Sequence, residues 1–172
     1  MTVSGFTAAG FSAVRDAFAQ NFADELEQGA SFAAWLGDEL IVDLRGGFAD
    51  RAGTRAWDER TLCPVYSATK PVGALIVARL VERGALDYDA PVADYWPEFA
   101  ANGKGAITIA EALSHQGGLP GFPDPIDPAL WLDPVALAAE LAKLPPMWGR
   151  GEGSGYHPLT WGYIADELVR RV

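Results

Sequence analysis

Hydrophobic residues recur at helical spacing near the start of the chain. Between residues 11 and 26 they stand three or four positions apart, at Phe11, Val14, Phe18, Phe22 and Leu26. This spacing places them on one face of a helix, and Gly29 is a suitable residue to follow the end of that helix. We therefore predict an amphipathic helix over residues 11–26.

Two short apolar runs follow this helix. Residues 31–36 and residues 40–44 are separated by Gly37 and Asp38. A glycine and an aspartate between two such runs are typical of a tight turn, so we predict a hairpin of two strands. At most one further strand is indicated elsewhere in the chain, and residues 50–60 form a polar loop.

The longest apolar run predicts a central helix. Residues 72–81 read Val-Gly-Ala-Leu-Ile-Val-Ala-Arg-Leu-Val, Pro71 suits the first turn of a helix and Gly84 suits its end. A helix that is apolar on all sides is normally buried on all sides. We expect such a helix over residues 67–82, with Ser67 at its N-terminus.

The second half of the chain predicts shorter helices between proline- and glycine-rich turns. A capping box over residues 108–111 begins a helix that ends near Ser114, Asp133 caps a helix over residues 133–144, and residues 159–172 form a last helix. These elements offer little apolar surface to cover the central helix. We therefore expect the chain to be the N-terminal portion of a larger protein.

The composition is that of a globular protein and excludes several partners. Of the 172 residues, 49% are hydrophobic and 21% are charged, with a net charge of −10. This balance argues against disorder. Without a basic stripe, neither nucleic acid nor an anionic membrane surface is an expected partner.

The cysteine and histidine content limits redox and metal chemistry. Cys63 is the single cysteine, and only two histidines are present. We expect no internal disulfide, no metal site and no cofactor, and we interpret Cys63 as a buried small hydrophobic residue. The N-terminus lacks the pattern of a signal peptide and no run is long enough to span a membrane, so we expect a cytoplasmic protein.

Ser67 and Lys70 are the strongest candidates for chemistry. They stand three positions apart, so a helix places them on the same face, and the chain has only three lysines. A desolvated lysine gives up its proton more readily and can then activate a neighbouring hydroxyl. On spacing alone two interpretations stay open: a nucleophile with its activating lysine, or a capping serine beside a snorkelling lysine.

Four motifs in order give this pair its context. They are Ser67-Ala68-Thr69-Lys70, the segment Leu86–Val92, the segment Ile107–Gly121 and the segment Gly155–Tyr163. Together they resemble the serine β-lactamase and penicillin-binding-protein superfamily in its class C-like branch, and most of all the family VIII carboxylesterases. The resemblance covers the chain from about Phe11 onward.

The resemblance implies the fold and the division of the chain. It implies an α/β (α+β) fold, with an antiparallel sheet flanked by helices and a mostly helical subdomain, incomplete in this chain. Residues 1–84 would form the N-terminal part of the α/β domain, residues 85–150 the helical and loop subdomain, and residues 151–172 the tyrosine-motif loop and a helix.

The resemblance also implies roles for individual residues. Ser67 would be the acylated nucleophile and its backbone N–H one oxyanion donor, while Lys70 and Tyr156 would move protons. His157 is a candidate substrate contact. His115 lies in a turn that the family uses structurally, so we expect a structural, hydrogen-bonded histidine there.

Two departures from the family pattern qualify these roles. Pro158 stands where β-lactamases have the asparagine of Y-x-N, which favours ester substrates over β-lactams. The third motif of the family, on a later strand that supplies the second oxyanion donor, has no counterpart among the 172 residues.

These features leave three hypotheses for function. The first is a serine hydrolase of short-chain carboxylic esters that needs a C-terminal segment and is weak or inactive alone. The second is a penicillin-binding protein that β-lactams acylate with little turnover. The third is a non-catalytic fragment that assembles with a second chain. The expected partners are a small-molecule ester and either a complementing C-terminal polypeptide or a second copy of this chain.

Overall fold

The computed structural model describes residues 3–172, which form two compact units. The first unit ends at Pro64 and the second begins at Val65. The helix that carries Lys70 thus belongs to the second unit. The predicted division of the chain into three segments, with boundaries after residues 84 and 150, stays a prediction.

The first unit is a three-stranded antiparallel sheet with one helix. Its elements are β1 Val3–Thr7, α1 Ser12–Ala23, β2 Gly29–Leu36 and β3 Glu39–Gly47. The strand order is β1-β3-β2, so the hairpin predicted around Gly37 and Asp38 is confirmed. The core of this unit lies between β3 and α1, where Val42 and Leu44 are buried and Val14 and Phe18 pack against them.

Strand β1 and the end of α1 differ from the sequence prediction. Strand β1 pairs along its whole length with β3, although its residues carry no clear strand pattern. At Gly5, where φ is +98°, a Cβ would lie 1.9 Å from the carbonyl oxygen of Asp43. A residue with a side chain would therefore clash with β3, and glycine allows the close approach of the two strands. Helix α1 ends at Ala23 because Glu25 has a left-handed φ of 58°, and Leu26 is consequently exposed.

The second unit is mostly helical. Its α-helices are α2 Thr69–Glu82, α3 Val92–Tyr95, α4 Ile109–Leu113, α5 Pro134–Lys143 and α6 Thr160–Arg170, with 3₁₀ turns at Tyr66–Ala68, Pro97–Gly103 and Pro128–Leu132. The two predicted caps are present. Thr108 and Glu111 form the capping box of α4, and the Asp133 carboxylate accepts the N–H of Ala136 at the start of α5.

Helices α5 and α6 supply much of the core of the second unit. The largest fully buried hydrophobic side chains of this unit are Trp96, Phe99, Ile109, Leu119, Leu137, Leu141, Ile164 and Leu168. Helix α6 contacts α2, α4 and α5. It therefore connects the helix that carries Lys70 to the rest of the unit.

Two predictions of burial are wrong. Helix α2 buries Val77, but Val72, Leu75 and Ile76 are 57%, 66% and 49% exposed, because the described residues cover only one side of the helix. Cys63 is exposed rather than buried. Among residues 3–172, no helix has both the length and the apolar character needed to cross a membrane.

Candidate active site

Ser67 lies in a tight turn at the start of α2. It occupies the middle of the 3₁₀ turn Tyr66–Ala68, which runs directly into the helix, and its side chain is exposed. Tyr66, the residue before it, has a left-handed φ of 46°. A non-glycine residue in this region is strained, and such strain is concentrated at functional sites. The turn thus presents Ser67 to solvent at the N-terminal end of α2.

Lys70 lies between Ser67 and the loop that precedes α6. Its Nζ donates to Ser67 Oγ at 3.1 Å and to the carbonyl oxygen of Pro158 at 2.8 Å. The first contact is the i, i+3 proximity that the sequence predicts. The second contact holds the loop residue Pro158 to α2, so one ammonium group both touches the hydroxyl and fixes the adjacent loop.

Tyr156 completes the cluster. Its ring centroid lies 4.9 Å from Lys70 Nζ. Hydrogen bonding to Ser67, and next to Lys70, lowers the pKa of the Tyr156 phenol below its ordinary value, and the positive charge of Lys70 acts in the same direction. The structure therefore brings together the three residues for which the sequence predicts catalytic roles.

His157 is buried and does not line the cavity beside Ser67. Its Nε2 accepts the N–H of Leu119 at 3.0 Å, and its Nδ1 lies 2.6 Å from the carbonyl oxygen of Gly155. Both ring nitrogens therefore contact the backbone, and the side chain is 0% exposed. A direct contact between His157 and substrate gains no support from this placement.

His115 accepts hydrogen bonds from both neighbours of Tyr156. Its Nδ1 accepts the N–H of His157 at 3.1 Å, and its carbonyl oxygen accepts the N–H of Gly155 at 3.0 Å. Sequence reasoning assigns His115 a structural role but gives no indication of these partners, because their donors are main-chain N–H groups.

A cavity of about 480 Å³ lies beside Ser67, between α2 and α6. Its lining is mostly apolar and includes Gly73, Ile76, Trp161 and Ala165. Trp161 is fixed there, because its Nε1 donates to the carbonyl oxygen of Leu113 at 2.9 Å. Among residues 3–172, no cluster of three or more His, Cys, Asp or Glu side chains is arranged to hold a metal ion.

This arrangement contains the parts needed for nucleophilic attack. A hydroxyl is within hydrogen-bond distance of an amine, and a phenol with a lowered pKa lies beside both. Such a set can remove a proton from the hydroxyl as it attacks an electrophilic carbon. The N-terminal end of α2, with its positive dipole, is directly next to Ser67.

Known proteins are similar to this chain in sequence. The family model described as Beta-lactamase matches residues 16–172. The esterase/beta-lactamase LipL of Mycobacterium tuberculosis is 41% identical over 163 residues, which are 94% of this chain and 37% of LipL.

Two solved structures are similar to this chain over nearly its whole length. A crystal structure of a penicillin-binding protein homologue from Caulobacter crescentus is 52% identical with a TM-score of 0.97, and it covers 100% of this chain. A crystal structure of a family VIII carboxylesterase is 46% identical with a TM-score of 0.95, and it covers 99% of this chain. This chain covers 46% of each of those two chains.

The comparisons confirm the predicted resemblance and the predicted fold class. Helices and an antiparallel sheet are combined as in β-lactamase-like proteins, and the chain spans less than half of the length of the relatives described above. The chain belongs to the Beta-lactamase family.

Proposed function

We propose that this protein takes part in the hydrolysis of short-chain carboxylic esters through an acyl-enzyme on Ser67. The observation that carries the proposal is the 3.1 Å contact between Lys70 Nζ and Ser67 Oγ, with Tyr156 beside the same ammonium group. The phenolate form of Tyr156 can accept the Ser67 proton, and the Lys70 ammonium group beside it stabilises that form.

The reaction proceeds in two acyl transfers. Ser67 Oγ attacks the ester carbonyl carbon while its proton passes to the pair formed by Lys70 and Tyr156. The tetrahedral intermediate collapses, the C–O bond to the alcohol breaks, and the same pair returns the proton to the departing alkoxide. Water then attacks the acyl-enzyme with the same groups as base, which releases the carboxylic acid and restores Ser67.

The oxyanion of each tetrahedral intermediate needs two donors. The backbone N–H of Ser67 is the donor that we assign within this chain, and we expect the second donor from a later strand outside residues 1–172. The loss of one such donor lowers kcat roughly a hundredfold to a thousandfold in other serine hydrolases. We therefore expect residues 1–172 alone to hydrolyse esters slowly or not at all.

An ester is the substrate class that the loop at Pro158 favours. Proline offers no side-chain amide and no N–H to the acylamide group of a β-lactam. Its carbonyl oxygen is already occupied by Lys70. The name of one relative, a family VIII carboxylesterase, supports this choice, whereas the name esterase/beta-lactamase of another relative fits both substrate classes.

We propose that a complementing C-terminal polypeptide, or a second copy of this chain, covers the exposed side of α2. Val72, Leu75 and Ile76 present apolar surface there, and this chain spans less than half of its relatives. Size measurement on the purified protein tests the idea. A folded monomer with a sharp unfolding transition and no associated polypeptide would contradict it.

The esterase proposal is tested with p-nitrophenyl acetate and p-nitrophenyl butyrate. The protein is purified together with the C-terminal polypeptide that completes it, and Ser67→Ala is prepared in the same way. We expect release of p-nitrophenol by the wild type and release at the uncatalysed rate by Ser67→Ala. Equal rates for the two proteins would refute the proposal.

A second candidate function is acylation by β-lactams with little turnover. The relative with 52% identity is described as a penicillin-binding protein homologue, which favours this alternative. Mass measurement after treatment with penicillin distinguishes the two functions. A stable adduct on Ser67, together with no hydrolysis of p-nitrophenyl esters, would replace the esterase by a penicillin-binding function.

A further inference from the structure

His115 and His157 lie next to Tyr156, and the proposed chemistry uses neither of them. The N–H groups on either side of Tyr156, those of Gly155 and His157, both donate to His115. One residue therefore fixes the backbone on both sides of the phenol. The rings of His115 and Tyr156 also pack together, with centroids 4.9 Å apart.

His115 adopts an unusual backbone conformation at this position. Its φ is +68°, a left-handed value that histidine tolerates better than most residues but that still costs energy. From this conformation His115 presents both its carbonyl oxygen and its Nδ1 to the Tyr156 segment. The strain is therefore associated with the anchoring of that segment.

His157 adds a second attachment on the other side of Tyr156. Its Nε2 accepts from Leu119 N–H, so the proton of the neutral ring is on Nδ1, where it donates to the carbonyl oxygen of Gly155. A single neutral tautomer satisfies both contacts. A doubly protonated ring would place an N–H against the N–H of Leu119.

We propose that His115 and His157 form an uncharged anchor that positions the Tyr156 hydroxyl against Ser67 and Lys70. His115 is a positioning residue, because it contacts the backbone around Tyr156 rather than the reacting atoms. The catalytic consequence of this anchor rests on the proposed ester hydrolysis, whereas its protonation state does not.

The surroundings of the two rings favour the uncharged state. Burial, followed by the positive charge of Lys70, lowers the pKa of His115. Burial also lowers the pKa of His157. The Gly155 carbonyl opposes this effect, and a positive charge on His115, when that ring is protonated, adds to it. The titratable groups that face these rings are Lys70, the Tyr156 ring that packs on His115, and the other histidine.

The sign of the pH effect follows from these directions. Because both folded-state pKa values lie below the ordinary histidine value of 6.5, the unfolded chain binds protons first as the pH falls. The contribution of the two histidines to the free energy of unfolding is therefore fully present above pH 6.5. It is lost as the pH falls through the lowered pKa values. The anchor of Tyr156 is lost over the same range.

A matched pair of variants tests the role of His115. Both asparagine and glycine accept a left-handed backbone, but only asparagine retains a side-chain acceptor for the N–H of His157. We expect His115→Gly to lower kcat for p-nitrophenyl butyrate about tenfold to a hundredfold through misplacement of Tyr156. We expect His115→Asn to remain within about threefold of the wild type and to show a weaker loss of activity below pH 6.5.

Nuclear magnetic resonance of the wild-type protein gives a readout that does not depend on activity or on the folding of a variant. At pH 6.5 we expect the ring of His157 to be neutral with its proton on Nδ1, and the ring of His115 to be neutral with its proton on Nε2. Protonated rings at this pH, or the opposite tautomers, would overturn the anchor.

The two proposals fail in different ways. If the histidines are neutral as expected and Ser67→Ala is as active as the wild type, the esterase proposal fails and the anchor stands. If Ser67 is required but His115→Gly and His115→Asn are equally active with the same pH profile, the anchor fails and the esterase proposal stands.

Discussion

The ammonium group of Lys70 donates to the carbonyl oxygen of Pro158 at 2.8 Å, across 88 positions of the sequence. The same group donates to Ser67 Oγ. Lys70 therefore joins the proposed nucleophile Ser67, in the turn before α2, to the loop that carries Tyr156. Proline at position 158 is compatible with this contact, because the contact uses the carbonyl and not the side chain.

Lys70→Ala should remove both contacts at once. We expect kcat/KM for p-nitrophenyl butyrate to fall by a factor of about 10² to 10⁴, since the Ser67 hydroxyl loses the ammonium group that contacts it and that lowers the pKa of Tyr156. Lys143→Ala is the matched control, because Lys143 is exposed and pairs with Glu140 on the same face of its helix. Loss of activity in both variants to the same extent would contradict a specific role for Lys70.

Tyr156→Phe removes one hydroxyl and leaves the ring in place. We expect kcat/KM to fall by a factor of about 10² or more. In the wild type, kcat/KM should rise as the pH approaches the lowered pKa of Tyr156, because the phenolate is the form that accepts a proton. This rise should be absent from the pH profile of Tyr156→Phe. An identical profile in the two proteins would show that Tyr156 is not the base.

Gly73→Ala tests the packing of α2 against α6. A Cβ at residue 73 would lie 2.9 Å from the ring of Trp161, whereas a Cβ at Gly162 would have no neighbour within 4 Å. We expect Gly73→Ala to destabilise the protein by about 1–2 kcal/mol through overpacking. Gly162→Ala should stabilise it by about 0.5–1 kcal/mol, because alanine favours the helix. Thermal unfolding measures both, and equal shifts would contradict the close packing.

Lys104→Met tests a buried lysine of the second unit. The Lys104 side chain is 0% exposed, and its Nζ donates to the carbonyl oxygens of Ala101, Ala142 and Leu144. Burial lowers the pKa of Lys104, but three carbonyl acceptors match the three N–H groups of the ammonium. We expect Lys104→Met to lower the free energy of unfolding by about 1–3 kcal/mol.

Lys143→Met provides the comparison for Lys104→Met. It is the same substitution at an exposed lysine, and we expect a change within about 0.5 kcal/mol. The difference between the two variants is measured by denaturant unfolding. If the two variants are equally stable, the three hydrogen bonds of Lys104 contribute nothing to the fold.

The cluster of Ser67, Lys70 and Tyr156 could be predicted because each of its members is a side chain that belongs to a recognisable sequence motif. Helical geometry places Ser67 beside Lys70, and the family resemblance carried by the ordered motifs implies that Tyr156 lies with them. The partners at Pro158 and Gly155 could not be predicted in this way. Their hydrogen-bonding groups belong to the main chain, which has no sequence signature.

Burial was the property that the sequence predicted least well. An apolar pattern indicates which surface of α2 requires cover, but not whether residues 3–172 supply that cover. Val72 and Leu75 are exposed for this reason. Strand β1 could not be predicted from the sequence, because glycine weakens a strand pattern. Gly5 is nevertheless the residue that allows β1 to approach β3.

Covalent labelling of Ser67 tests the central claim most directly. The folded protein, purified together with the C-terminal polypeptide that completes it, is treated with a fluorophosphonate, and peptide mass spectrometry locates the adduct. We predict a single adduct on Ser67, slower labelling in Lys70→Ala and no labelling of Ser67→Ala. An adduct of equal yield in Ser67→Ala, or an unlabelled Ser67 in the wild type, would contradict its role as the nucleophile.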